Sequence, residues 1–358
     1  MVQLTSRSAS MSVESAEHAG HSAGTGRDEA SAAAGQGAAP VAGAEEPGAR
    51  GGSPDRLRQL VHRTDRQDVF PTGLTRLTDT QFSVSAHWPR DHRFFSPVDG
   101  RHQDPLLIAE TMRQTTMLIA HDQFGVPVGD AFVMWELRYT SVSGRLELGD
   151  DPWDITVDVS CSRIRRRGRS LGSMHLELLL HRHGTVLASG GGRISCTSAG
   201  VYQRMRGHRA AVLGTPVPLL PAVAPSTVGR TSERDVVLAP APDPGTWLLR
   251  LDTRHPTLFG RPNDHVPGIL LLEAARQAAH AIAPGRTFLP TEMQADFLQY
   301  VELDRPCLIE ATPLPADEES PAGVLIRAVQ DGEPAFTCTL RAPDPHRAGA
   351  GDARSDLS

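Results

Sequence analysis

Two stretches of this chain are apolar on nearly every face of a helix. The second runs from Asp264 to Ala281 and reads DHVPGILLLEAARQAAHA, with Ile269, Leu270, Leu271, Leu272, Ala274, Ala275, Ala278 and Ala279 spread all round. A helix of that kind is buried on most of its surface. Glu273, Arg276 and Gln277 interrupt it, and residues three and four apart share a helix face, so the three cluster on one side. Pro267 suits the first turn, where its missing N–H costs nothing. Asp264 and His265 precede that turn, near the positive end of the helix dipole.

The first apolar helix carries the same polar residues. ETMRQ holds Glu110, Arg113 and Gln114; EAARQ holds Glu273, Arg276 and Gln277, and the offset is 273 − 110 = 163 for all three pairs. His102 maps to His265 and His92 to His255 at the same offset. Five polar positions in one register, with an apolar run between them, mark the duplication of a whole domain. Each copy opens with a short strand, FSVSAHWP from Phe82 or TWLLRLD from Thr246. An irregular histidine loop and the apolar helix follow. Stretches of alternating or branched residues come next, such as WDITVDVSC and MHLELLLHR in the first copy and GVLIRAVQ and PAFTCTLRA in the second. Gly184 in HRHGTV and Gly332 in VQDGEP suit the positive-φ position of hairpin turns.

One buried helix followed by several antiparallel strands is an α+β layout. A sheet curled round a central helix satisfies it, which predicts a tandem double hotdog whose copies join sheet edge to sheet edge as an internal pseudo-dimer. The expected boundaries are a tail over residues 1–60, a first hotdog domain over 66–206, a linker over 207–232, a second hotdog domain over 233–343 and a tail over 344–358. The sequence before Pro54 is mostly Ala, Gly, Ser and Glu, too poor in large apolar side chains to offset the entropy of ordering, so disorder is expected there. The linker GTPVPLLPAVAPSTVGRTSERD is rich in proline and is expected to form no regular element.

Composition narrows the function. A formal net charge of −6 argues against a general nucleic-acid footprint, and no helix-turn-helix pattern accompanies the basic run Arg163–Arg169. No apolar run approaches the length of a membrane span, and the N-terminal sequence lacks the basic start and apolar core of a secretory signal. Cys161, Cys196, Cys307 and Cys338 are scattered, so no zinc or other metal site is expected, and a reducing cytoplasm is. GQGAAP follows no strand and is no dinucleotide fingerprint, so no cofactor is expected.

Buried charges must be partnered or face a cleft. A Glu–Arg pair at i, i+3 is therefore either a structural ion pair or part of a site. His102, His92 and His255 fit structural roles; His265, beside Asp264 and the apolar helix, fits a functional one.

The stretch HPTLFGRPNDHVPGILLLEAARQAAHA resembles the signature of the A-factor biosynthesis (AfsA) hotdog proteins of actinomycetes, and HRFFSPVDGRHQDPLLIAETMRQTT resembles its first copy. The likeness spans both domains. VPGILLLEAARQ is also similar, more distantly, to the helix of acyl-carrier-protein dehydratases, but Phe259 stands where their catalytic histidine would fall, which counts against dehydration. The family resemblance implies an acyltransferase that joins a β-ketoacyl group, carried on acyl carrier protein, to the hydroxyl of dihydroxyacetone phosphate, on the way to a γ-butyrolactone-type signal.

Such a transfer needs a base and oxyanion donors. Glu273 or His265 would be the base, and N–H groups around Gly268 would receive the oxyanion. Arg276 would grip phosphate or orient Glu273. Asp264 and Gln277 would position the substrate, with Glu110 and Arg113 contributing from the first copy. In that copy Asp104-Pro105 replaces Pro267-Gly268, so a supporting role is expected for it. The run Arg163–Arg169 would dock the acidic carrier or serve as a solvated edge. A thioesterase or dehydratase on the same fold, and a non-catalytic acyl-binding regulator, are the rival readings. The internal pseudo-dimer would stand alone or pair as a homodimer.

Overall fold

A computed structural model describes residues 53–97, 99–168, 170–207, 209, 217–283, 288–316 and 322–342. In chain order its elements are α1 (Pro54–Leu60), β1 (Pro71–Arg76), β2 (Gln81–Trp88), α2 (Leu106–Asp122), β3 (Ala131–Ser141), β4 (Trp153–Arg167), β5 (Ser170–Arg182), β6 (Thr185–Thr197) and α3 (Ala199–Arg206). The second copy follows with β7 (Leu238–Pro240), β8 (Thr246–Leu249), α4 (Gly268–Ala281), β9 (Glu292–Phe297), β10 (Leu308–Leu314), β11 (Gly323–Gln330) and β12 (Glu333–Arg341).

The described strands make one 12-stranded sheet in the order β1-β2-β4-β5-β6-β3-β9-β12-β11-β10-β8-β7. Read from its centre outward, the order is the same in both directions, so the two copies are related by a pseudo-two-fold axis. The seam is the antiparallel pair β3–β9, with Leu137 opposite Ala295 and Tyr139 opposite Met293. Each copy thereby covers the other's open edge. The two copies wrap their own helices: α2 packs on β1, β2, β3, β5 and β6, and α4 on β7, β8, β10, β11 and β12. This is the double hotdog expected from the repeat.

The seam is incomplete, and that matters for function. Residues 136–140 of β3 pair with β9, but the strand before Glu136 pairs with β6 alone. A bulge at Trp135 turns the strand there. The wedge left open lies between the N-terminal half of β3, α2 and the loop that leads into α4.

Two expectations from the sequence need correction. Residues 54–60, assigned to the tail, form α1. Ser53 caps it through Oγ, Pro54 starts it, and Leu57, Leu60 and Val61 are buried against the first copy. Three apolar side chains in one short turn give that segment enough surface to fold. The linker is also less passive than its prolines suggest: Pro225–Val228 forms a 3₁₀ turn, and Arg230 just after it is buried. The expected tails over residues 1–52 and 344–358 lie outside the described residues, as does part of the linker. The four cysteines are free and buried.

Truncation tests the first correction. A chain starting at Asp65 loses α1 and Arg63, which is paired to Glu110. Its urea midpoint should correspond to a loss of about 3 kcal/mol or more relative to a chain starting at Ser53, the usual scale for breaking a buried ion pair. Equal midpoints would show that α1 contributes nothing.

Candidate active site

The polar clusters on the two helices are built alike. Glu273 is fully buried; it accepts hydrogen bonds from Arg230 Nε (2.8 Å), Arg276 Nε (2.9 Å), Arg276 Nη2 (2.7 Å) and Gln277 Nε2 (2.5 Å). Glu110 is also fully buried and accepts from Arg63 Nε (3.1 Å), Arg113 Nε (2.9 Å) and Gln114 Nε2 (2.6 Å). Burial alone would raise both carboxyl pKa values. Arg230 and Arg276 outweigh it at Glu273, and Arg113 and Arg63 at Glu110, holding each at about 2. Neither carboxylate suits a general base near neutral pH.

Each outer arginine also reaches across the pseudo-axis. Arg63 Nη1 donates to Thr257 O (2.6 Å), and Arg230 Nη1 donates to Phe94 O (2.8 Å). The loops thus held are tied down by His92 and His255, as expected. His92 Nδ1 accepts from the N–H groups of Phe94 and Phe95, and His255 Nδ1 from those of Thr257 and Leu258. So the helix cluster of one copy is covered by the loop and helix entry of the other.

This crossing separates residues that the sequence places in one site. A cavity of about 300 Å³ occupies the open wedge, and it joins the first copy's Arg63, Glu110, Arg113 and Met117 to the second copy's Arg261, His265, Pro267, Gly268 and Ile269. Glu273, Arg276 and Gln277 do not line it; they belong to the mirrored junction, where the first copy's Asp104 enters. Arg276 is only 1% exposed. A wider depression of about 640 Å³ crosses the sheet but is lined by no histidine.

The histidine of the open cavity is oriented. His265 Nδ1 lies 2.7 Å from Asp264 Oδ1, which also accepts from the Tyr202 hydroxyl at 2.7 Å. Arg206 Nε donates to Asp264 Oδ2 at 2.8 Å. These bonds from His265, Arg206 and Tyr202 overcome burial and hold the Asp264 carboxyl well below the usual range. With Nδ1–H given to an ionised Asp264, Nε2 is the lone-pair nitrogen left for a substrate. Tyr202 and Arg206 come from α3, so the end of the first copy braces the histidine of the second. His62 also lines the cavity, but burial, then Arg261 and His121, push its pKa down to about 2.

Gly268 and Ile269 open α4 and line the same cavity. Their N–H groups precede the first intrahelical donor, Leu270 N to Pro267 O, and so are suited to an oxyanion. A Cβ on Gly268 would sit 3.1 Å from the Phe297 ring, so glycine allows that wall to close on the helix start. At the mirrored entry the helix donor is already used: Leu106 N donates to Asp104 Oδ1 at 2.9 Å. His102 there likewise has Nδ1 2.8 Å from an aspartate, Asp99, and it borders a separate cavity of about 520 Å³ that includes none of the helix-cluster residues.

A family model described as the A-factor biosynthesis hotdog domain matches residues 57–198 and 215–342, both copies. The chain belongs to the A-factor biosynthesis hotdog family. Among its curated members, this chain is 47% identical over 283 residues to a 2-oxo-3-(phosphooxy)propyl 3-oxoalkanoate synthase of Streptomyces virginiae, covering 79% of this chain and 96% of that one. It is 44% identical over 287 residues to a synthase of the same name from Streptomyces coelicolor, covering 79% of this chain and 90% of that one. Among solved structures it is similar to a putative oleoyl thioesterase from Lactobacillus plantarum, at 13% identity and TM-score 0.48 over 74% of this chain and 97% of that one.

Sequence reasoning about this A-factor family member missed Arg63, Arg230, Tyr202, Arg206 and Arg261. A signal existed for the first two. RTDRQD at 63–68 and RTSERD at 230–235 match at 230 − 63 = 167, a slip of four from the main register. Among the described residues no group of three or more His, Cys, Asp or Glu side chains is arranged to hold a metal ion, and no helix is long and apolar enough to cross a membrane.

The depressed carboxyl pKa values set an acid limit on stability. Each carboxyl is near 4.5 when unfolded and about 2 when folded, so its contribution is complete above pH 5 and is lost as pH falls towards 2. Each should contribute roughly 3 kcal/mol over that window. Urea midpoints of Glu273→Gln should therefore fall less steeply between about pH 5 and pH 3 than those of the unmodified chain. Parallel curves would show that Glu273 is not held ionised by its arginines.

Proposed function

We propose that this chain transfers a β-ketoacyl group from a thioester to the hydroxyl of dihydroxyacetone phosphate. The observation that carries this reading is the Asp264–His265 pair facing a cavity that also exposes the free N–H groups of the α4 start. His265 Nε2 accepts the proton of the acceptor hydroxyl as its oxygen attacks the thioester carbonyl. The developing oxyanion is received by Gly268 and Ile269 N–H. As the tetrahedral intermediate collapses, the C–S bond breaks and the imidazolium returns the proton to the departing thiolate. The alcohol attacks directly, which suits a cavity whose lining, among the described residues, includes neither serine nor cysteine. Met117, Phe132, Met134 and Leu272 offer an apolar wall to the acyl chain.

The relatives' name describes the ester such a reaction forms, and it supports the choice of acceptor. We further propose acyl carrier protein as the donor's carrier. Arg163, Arg165 and Arg167 on the exposed end of β4 form the basic surface such an acidic partner would meet.

The test is product mass after incubation with one β-ketoacyl thioester and dihydroxyacetone phosphate. The expected product is the ketoacyl ester of the phosphate. Free β-keto acid would favour hydrolysis, loss of water would favour a dehydratase, and tight acyl binding without turnover would favour a regulator; each would overturn the transferase reading.

A further inference from the structure

The two junctions share a framework but differ in charge, and the difference marks a ligand. In the closed junction Asp104 is wholly buried. Its Oδ1 takes the helix-start donor, and its Oδ2 lies 3.8 Å from Arg230 Nη2; burial raises its pKa, and Arg276 and Arg230 oppose that rise. An acidic side chain of the chain thus stands between a helix start and two guanidiniums.

In the open junction the residue equivalent to Asp104 is Pro267, since 104 + 163 = 267. The guanidiniums remain, as Arg63 and Arg113, but no carboxylate replaces Asp104. A third guanidinium joins them, because Arg261 lines the cavity; in sequence the matching position of the first copy is a valine, from 261 − 163 = 98. Among the described residues, Glu110 is the one carboxylate in the lining, set against Arg63, Arg113 and Arg261. Two positive charges are therefore left over.

We propose that Arg113 and Arg261, backed by Arg63, bind the phosphate of the acceptor at this place, and that Asp104 fills the equivalent place in the closed junction. A phosphomonoester carries close to two negative charges at neutral pH, which matches the excess. Arginine forks suit its planar pairs of oxygens. Arg113 has spare capacity: its Nη1 meets only the Met117 sulfur, and its side chain is 22% exposed. Desolvation in the cleft lowers the Arg261 pKa most, and Arg113 and Arg63 lower it further; a bound anion would oppose these effects. Arg113, Arg261 and His265 line one cavity of about 300 Å³, so a short acceptor can reach both ends.

This inference rests on the transferase reading for its substrate but is tested separately from it. The probe is inorganic phosphate, whose binding is read by thermal shift and calorimetry on the full chain. It should bind the unmodified protein, and Arg261→Met should weaken it at least tenfold. Arg261 is exposed, so this change spares the fold. Pro267→Asp places the closed junction's carboxylate in the open one and should abolish the binding; aspartate suits a helix entry. In turnover, Arg261→Met should raise KM for dihydroxyacetone phosphate at least tenfold, and the loss in kcat/KM should be smaller for unphosphorylated dihydroxyacetone. If phosphate does not bind, or binds Arg261→Met and Pro267→Asp as tightly as the unmodified chain, the subsite is wrong whatever the reaction. If phosphate binding behaves as expected but no ester forms from either acceptor, the transferase reading fails and the subsite stands.

Discussion

A buried glutamate gripped by two arginines and a glutamine occurs twice in this fold, and the rest of the architecture leans on it. An isolated carboxylate at full burial would be neutralised or expelled. Here Arg63 and Arg113, or Arg230 and Arg276, keep it charged. The outer arginine of each set spends another N–H on a carbonyl of the opposite copy, Thr257 O or Phe94 O. The same side chain therefore neutralises its own helix and fixes the neighbour's loop. Breaking it would leave a buried charge and an untethered helix entry at once.

Because each brace crosses the pseudo-axis, every junction is composite. The helix cluster comes from one copy and the histidine and helix start from the other. Duplication within a single chain then frees the two junctions to diverge. One residue at the helix entry separates their chemistry: proline at 267 leaves the guanidiniums without an internal acidic partner, and aspartate at 104 supplies one. The asymmetry lies in the loops and entries, while the helix clusters stay matched.

Much of this was legible in the sequence. The offset of 163 gave the duplication, the apolar helices gave the core, and Asp264–His265 stood out as a pair. Which side chains share a cavity was less legible. Glu273, Arg276 and Gln277 share a helix with Gly268, so linear spacing puts them with His265, whereas the crossing of loops puts Glu110 and Arg113 there. Periodicity records which residues share a helix, not which copy covers them. Arg63 and Arg230 were hidden by a length change: 92 − 68 = 24 residues separate the paired Asp68 and His92, but 255 − 235 = 20 separate Asp235 and His255. Nothing in the local sequence of α3 announced that Tyr202 and Arg206 would orient an aspartate 58 to 62 residues later.

The central claim is that one of two similar junctions carries the chemistry, and the equivalent histidines test it most directly. His265 and His102 are both partly exposed, with side chains 25% and 26% accessible, so either can be removed with little effect on folding. Measured on the β-ketoacyl thioester and dihydroxyacetone phosphate, His265→Ala should lower kcat by about 10²-fold or more, the usual scale for losing a general base. His102→Ala should leave kcat within about twofold. Equal losses would mean that both junctions turn over, and a loss confined to His102→Ala would place the active site in the junction described here as closed.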